Sequence, residues 1–288
     1  MKYQSLVLPL VLALLIFSCK KDDGGTTPQG GITVSGIVTA FGGAPVANAT
    51  IQLFAGNTST GTPAATATSN TSGQWQASVS SAGRYTGVIS ASGYPTSYVS
   101  INIQSGQTTV NVGTTILAAQ RISGIINDAR TATPIPNAVV RFFLGTGTDT
   151  TGYRFPDLVT NSLGQFTTTL AIGSYVYVVY APLRLTLVTQ LSVTDTAATQ
   201  ITATVTDPVP AGQMRIVLNW GRLPSDLDSH LTGDSTTTAG RPRYHVFYAN
   251  RVVRLANGDT IAYLDVDDVT SYGPETITIY RFFPGTLR

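Results

Sequence analysis

The chain has 288 residues, 42% of them hydrophobic and only 11% charged, with a formal net charge of +2 and a single cysteine. A lone cysteine excludes an internal disulfide. The small net charge, with lysine only at Lys2, Lys20 and Lys21, excludes a phosphate-binding stripe, so nucleic acid is not expected as a partner.

In chain order, Met1-Lys2 supplies a short positive start and residues 6–17 an apolar run. The run is too short, and its exit too polar, for a spanning helix. Ile16-Phe17-Ser18-Cys19 resembles a bacterial lipobox. The resemblance implies that residues 1–18 are a lipoprotein signal peptide, that Cys19 is lipidated, and that the rest lies outside the cytoplasm on a membrane surface. An ordinary cleaved signal peptide with a coincidental cysteine is the alternative. With Cys19 lipidated, no thiol remains for a nucleophile or a thiolate metal site. Residues 19–31 hold nothing apolar to bury and read as a flexible tether. Its opening Lys20-Lys21-Asp22-Asp23 resembles short charged signals that send lipoproteins to the cell exterior, or is simply a solvated linker. The expected location is the outer membrane or cell surface.

From Ile32 the chain reads as strands. Residues 32–38, 49–54, 75–79, 85–91, 98–103 and 109–112 are rich in β-branched and aromatic side chains and are separated by Gly, Asn, Ser or Pro. No window carries a helical apolar stripe, so an all-β chain is expected. The pattern then recurs at offsets of 88 to 91 residues. Ser35-Gly36-Ile37-Val38 returns as Ser123-Gly124-Ile125-Ile126, Pro45-Val46-Ala47-Asn48-Ala49 as Pro134-Ile135-Pro136-Asn137-Ala138, Ser72-Gly73-Gln74-Trp75 as Leu163-Gly164-Gln165-Phe166, and Tyr85 as Tyr175. So long a period means tandem domains rather than a solenoid. The Ser-Gly pair lets a neighbour approach closely, Pro-x-x-Asn-Ala sets a turn before a core strand, and Gly-Gln-aromatic closes a hairpin. Together these motifs resemble the carboxypeptidase regulatory-like domain over residues 32–118 and again over 120–207. That resemblance implies prealbumin-like β-sandwiches that act as spacers or as sugar- and protein-binding modules. Trp75, Tyr85, Phe166 and Tyr175 are expected in the cores. The loop tyrosines Tyr94 and Tyr153 are the candidates for an exposed ligand-binding face.

After the stiff linker 208–212 the composition shifts, and most acidic residues and both histidines follow. In an extended chain Asp226, Asp228 and His230 share one face and Leu227 and Leu231 the other. In Leu264-Asp265-Val266-Asp267-Asp268, Asp265 and Asp267 should likewise face one way. Gly273-Pro274-Glu275 turns into a strand with the chain's only glutamate. These motifs, with Leu218-Asn219-Trp220 and Tyr244-His245-Val246-Phe247-Tyr248, resemble the YfaP-like domain, here over residues 213–288. The resemblance implies a small β domain with at least one more strand past the one that Glu275 begins; with the sequence ending at Arg288, the domain reads as truncated or its last sheet as incomplete.

Clustered carboxylates repel unless a cation neutralises them. Asp226, Asp228, Asp265, Asp267 and Asp268 suit Ca²⁺, while His230 in the ligand set would point to Mn²⁺ or Zn²⁺. Turn caps, pairing with Arg222, Arg241, Arg243 or Arg251, and ordinary surface polarity are the alternatives. Neither a His-Glu-x-x-His helix nor a Gly-x-Ser-x-Gly elbow is present. The expectation is an all-β, non-catalytic envelope lipoprotein with two tandem sandwiches and a small C-terminal β domain. It would act in adhesion or ligand binding, with carbohydrate or a surface protein as partner. A purely structural envelope role and a metal-dependent hydrolase are the alternatives.

Overall fold

The computed structural model describes residues 31–194, 199–234 and 243–283. Cys19 and the tether lie outside the described residues. Among those described there is no helix, as the sequence implies.

Seven strands come first: β1 (Ile32–Ala40), β2 (Thr50–Ala55), β3 (Ala65–Thr68), β4 (Gln74–Val79), β5 (Gly83–Ser90), β6 (Ser97–Ile103) and β7 (Thr109–Leu117). They form sheets β4-β1-β7 and β3-β2-β5-β6, with β1 and β7 parallel and the other pairs antiparallel. The next seven are β8 (Ala119–Asp128), β9 (Val139–Leu144), β10 (Leu158–Val159), β11 (Gln165–Ala171), β12 (Gly173–Tyr180), β13 (Leu187–Val193) and β14 (Thr199–Val205). Their sheets, β11-β8-β14 and β10-β9-β12-β13, repeat the first topology strand for strand.

The repeated motifs have matching jobs. Gly36 pairs with Trp75 and Gly124 with Phe166 across their ladders, and each aromatic ring occupies the space a Cβ would take. Asn48 and Asn137 adopt positive φ (56° and 58°), which Asn tolerates better than most residues. Asn70 and Asn161 accept backbone N–H bonds that close the hairpins. Trp75, Tyr85, Phe166 and Tyr175 are buried, and both tyrosines donate their O–H to a carbonyl four residues back. A further pair is not expected from the sequence. Buried Ser69 and Thr160 each donate to a carbonyl and accept an N–H at the start of a core strand.

The last six strands are β15 (Met214–Leu218), β16 (Leu231–Asp234), β17 (Arg243–Val246), β18 (Val252–Arg254), β19 (Thr260–Val266) and β20 (Glu275–Ile279). They form the sheet β15-β20-β19-β18 and a β16-β17 hairpin, with Leu231, Tyr244, Val246, Leu264, Ile277 and Ile279 in a shared core. Arg215 joins this sheet to the preceding sandwich, donating to Asp207 (2.7 Å) and Thr278 (3.0 Å).

Candidate metal centre

The candidate site forms where the segment after β15 meets the turn before β20. Trp220 N–H donates to the Tyr272 carbonyl (3.3 Å), and Tyr272 N–H returns a bond to Gly221 (3.2 Å). Gly273 sits at φ +76°, with the Leu218 carbonyl and the Trp220 ring where a Cβ would stand. Glycine is therefore required on both conformational and steric grounds. This packing sets Glu275 at the head of β20, opposite Leu218 and on the same face as Ile277.

A β-bulge delivers the second carboxylate. Leu264 pairs with Ile277, yet Val266 pairs with Thr276, so Asp265 is an extra residue in β19. The extra residue reverses the alternation beyond it and turns Asp267 toward the Glu275 face. The expected common face for Asp265 and Asp267 is thus corrected. Asp265 instead accepts a 2.5 Å bond from Thr278 Oγ1, on the opposite side of the sheet. Burial raises the Asp265 pKa above its usual value.

Asp228 completes the group: one carboxylate oxygen from each of Asp228, Asp267 and Glu275 lies within 4.8 Å of the others. Glu275 is only 1% exposed. Its Oε1 accepts from Ser229 N–H (2.7 Å) and Oγ–H (2.5 Å). Glu275 Oε2 and Asp267 Oδ1 are buried with no hydrogen-bond partner. Burial first, and then the charges of Asp267 and Asp228, push the Glu275 pKa upward against the two Ser229 bonds. The nearby ion pair is long, with Arg251 Nη1 at 3.8 Å from Asp267 Oδ2. Three carboxylates with two orphaned buried oxygens are the kind of donor set that a hard cation takes.

The other predicted ligands lie apart. His230 Nδ1 sits 2.8 Å from His245 Nε2, and both rings pack on Phe247. Asp268 caps its own turn, accepting from Thr270 N–H (2.7 Å) and Oγ1–H (2.9 Å). Asp226 is exposed and outside the cluster. Sequence reasoning omitted Glu275 as a ligand, although a sole glutamate directly after a Gly-Pro turn was a visible signal. Tyr94 is 41% exposed, as expected of a loop tyrosine. Tyr153 is not a free ligand face. It stacks on Tyr98 of the first sandwich (5.1 Å, 6°) and meets Phe155 edge-on.

Several solved structures show partial similarity. The Bacillus anthracis TIE protein is 10% identical with a TM-score of 0.30, covering 87% of this chain and 44% of that one. Catechol 1,2-dioxygenase from Acinetobacter sp. ADP1 is 15% identical with a TM-score of 0.26, over 32% and 53%. The shaft pilin SpaA from Lactobacillus rhamnosus GG is 14% identical with a TM-score of 0.25, over 62% and 97%. The chain spans about half the length of the first of these structures. No match is found among curated proteins. Residues 33–116 match the carboxypeptidase regulatory-like domain family, and in its first sandwich the chain is therefore similar to that domain.

Proposed function

We propose that the chain is a non-catalytic binding module of the cell envelope whose C-terminal β unit is completed by a divalent cation. The observation that carries this reading is the pair of buried, partnerless oxygens on Glu275 and Asp267 beside Asp228. An all-oxygen set favours Ca²⁺, since His230 and His245 face each other rather than the carboxylates. The three carboxylates offer three to six of the six to eight oxygens that Ca²⁺ takes, and water supplies the others. Bound there, the ion would tie the segment before β16 to the ends of β19 and β20.

In this reading residues 32–118 and 120–207 are spacers carrying the unit 213–288, tethered through lipidated Cys19, with carbohydrate or a surface protein as partner. The absence of catalysis is supported by Glu275 being closed off from solvent: an acid–base carboxylate pair must flank a substrate. Isothermal titration with Ca²⁺ tests the site. Saturable binding is expected for the native chain, with loss in Glu275→Gln and Asp267→Asn. Equal binding by all three would remove the site from these residues.

A further inference from the structure

The outer face of the C-terminal sheet, opposite its core, carries a second feature. A groove of about 580 Å³ opens there, lined by Val252, Arg254, Asp259, Tyr263, Tyr280 and Arg281 with Thr260. Register explains why these side chains meet: Tyr263 on β19 stands opposite Val252 on β18 and Thr278 on β20, and Tyr280 follows β20 directly. Tyr263 and Tyr280 are each 37% exposed, so their rings form part of the floor and remain open to solvent.

The charge of the groove is unbalanced, with two guanidinium groups facing one carboxylate. Arg254 spends only Nη1, on the Gly258 carbonyl (3.2 Å) and Thr260 Oγ1 (2.8 Å). Its Nε and Nη2 have no hydrogen-bond partner among the described residues. Among the described residues the Arg281 side chain makes only a long, exposed pair with Asp259 (3.9 Å), which solvent largely screens. Free guanidinium donors match carboxylates in geometry as well as charge. Tyrosine rings give an amphipathic surface for a ligand with both apolar and hydroxyl-bearing faces. The face of a sheet offers side chains only, so an extended peptide would find no main-chain ladder on this floor.

We infer that this groove binds an acidic polysaccharide, with uronate carboxylates on Arg254 and Arg281 and sugar rings against Tyr263 and Tyr280. The inference rests on reading the chain as a binding module, and it names the ligand class and the surface.

The test is affinity electrophoresis of the full chain in gels containing hyaluronate (a glucuronate polymer), dextran or polyglutamate, with Ca²⁺ present throughout. Retardation by hyaluronate alone is expected, weakening with salt. Arg254→Ala, Arg281→Ala and Tyr263→Ala should each weaken it by about tenfold, the loss of one charge-assisted or stacking contact. Unchanged Ca²⁺ binding in these variants would show that they are folded. Equal retardation by dextran, or no effect of the variants, would overturn the assignment. Retardation by polyglutamate that is insensitive to Tyr263→Ala would reassign the groove to acidic protein. If the native chain binds Ca²⁺ yet ignores hyaluronate, the groove assignment falls and the cation site stands. If Ca²⁺ binding fails while hyaluronate is held, the reverse applies.

Discussion

Single residues decide the chemistry of the C-terminal unit. Glu275 is a buried acid whose Oε2 lacks a donor, so its ionised form is costly without a cation. Glu275→Gln should leave stability in chelator unchanged or raised, while abolishing the gain from Ca²⁺. Denaturant melts with and without the ion would read both effects. The pH response should differ between the two halves of the chain. Glu275 and Asp265 titrate above their usual values, so their favourable contribution is fully present below the unfolded-state pKa and is lost as pH rises through the folded one. Asp128 and Asp149 behave oppositely. Burial pushes Asp128 up, but the Arg130 N–H, Arg184 and Thr131 outweigh it and lower its pKa. The Thr151 hydroxyl and N–H hold Asp149 at about 2. Their contribution is present above the unfolded pKa and is lost as pH falls through the folded values. In chelator, mild acid should therefore first raise the C-terminal transition, and stronger acid should then lower that of the second sandwich. Glu275→Gln should shrink the first effect. A C-terminal transition that falls steadily with pH would contradict the carboxylate assignments.

At the level of elements, the sequence revealed most where a motif serves the backbone. Ser-Gly and Gly-Gln-aromatic recur because one glycine must pass beneath one aromatic ring, a need that survives divergence elsewhere. Adding a Cβ at Gly124 would place it 2.4 Å from the Phe166 ring, so Gly124→Ala should cost about 1–3 kcal/mol by overpacking. Phe166→Leu in the same chain should recover part of the loss, measurable by chemical denaturation. The short strand β3 and the buried hydroxyls of Ser69 and Thr160 were less legible, since polar residues with weak alternation look like loop. The acidic cluster was legible as a concentration of charge but not as a geometry. Simple alternation put Asp265 beside Asp267, and only the bulge at Asp265 separates them. A bulge leaves no mark in a run such as Leu-Asp-Val-Asp-Asp, because either register buries an apolar residue.

Across the whole molecule, side-chain contacts bridge successive units. Tyr98 stacks on Tyr153, and Arg84 reaches Asp149 at 3.0 Å. Tyr98→Ala should remove a ring pair worth about 0.5–1.5 kcal/mol beyond its buried area. Limited proteolysis near residue 118 should then be faster, while the Ca²⁺ response of the C-terminal unit stays intact. That independence follows from the C-terminal unit having a core of its own. It also makes scanning calorimetry of the full chain, with Ca²⁺ in excess and again with a chelator, the most direct test of the cation site. A ligand bound only by the folded state at a hundredfold excess over its dissociation constant stabilises by about 2.7 kcal/mol. The C-terminal transition alone should move upward with Ca²⁺, and Asp228→Ala, Asp267→Ala and Glu275→Gln should each erase the shift. If no transition responds to Ca²⁺, or if the shift survives all three substitutions, the three carboxylates do not form a cation site.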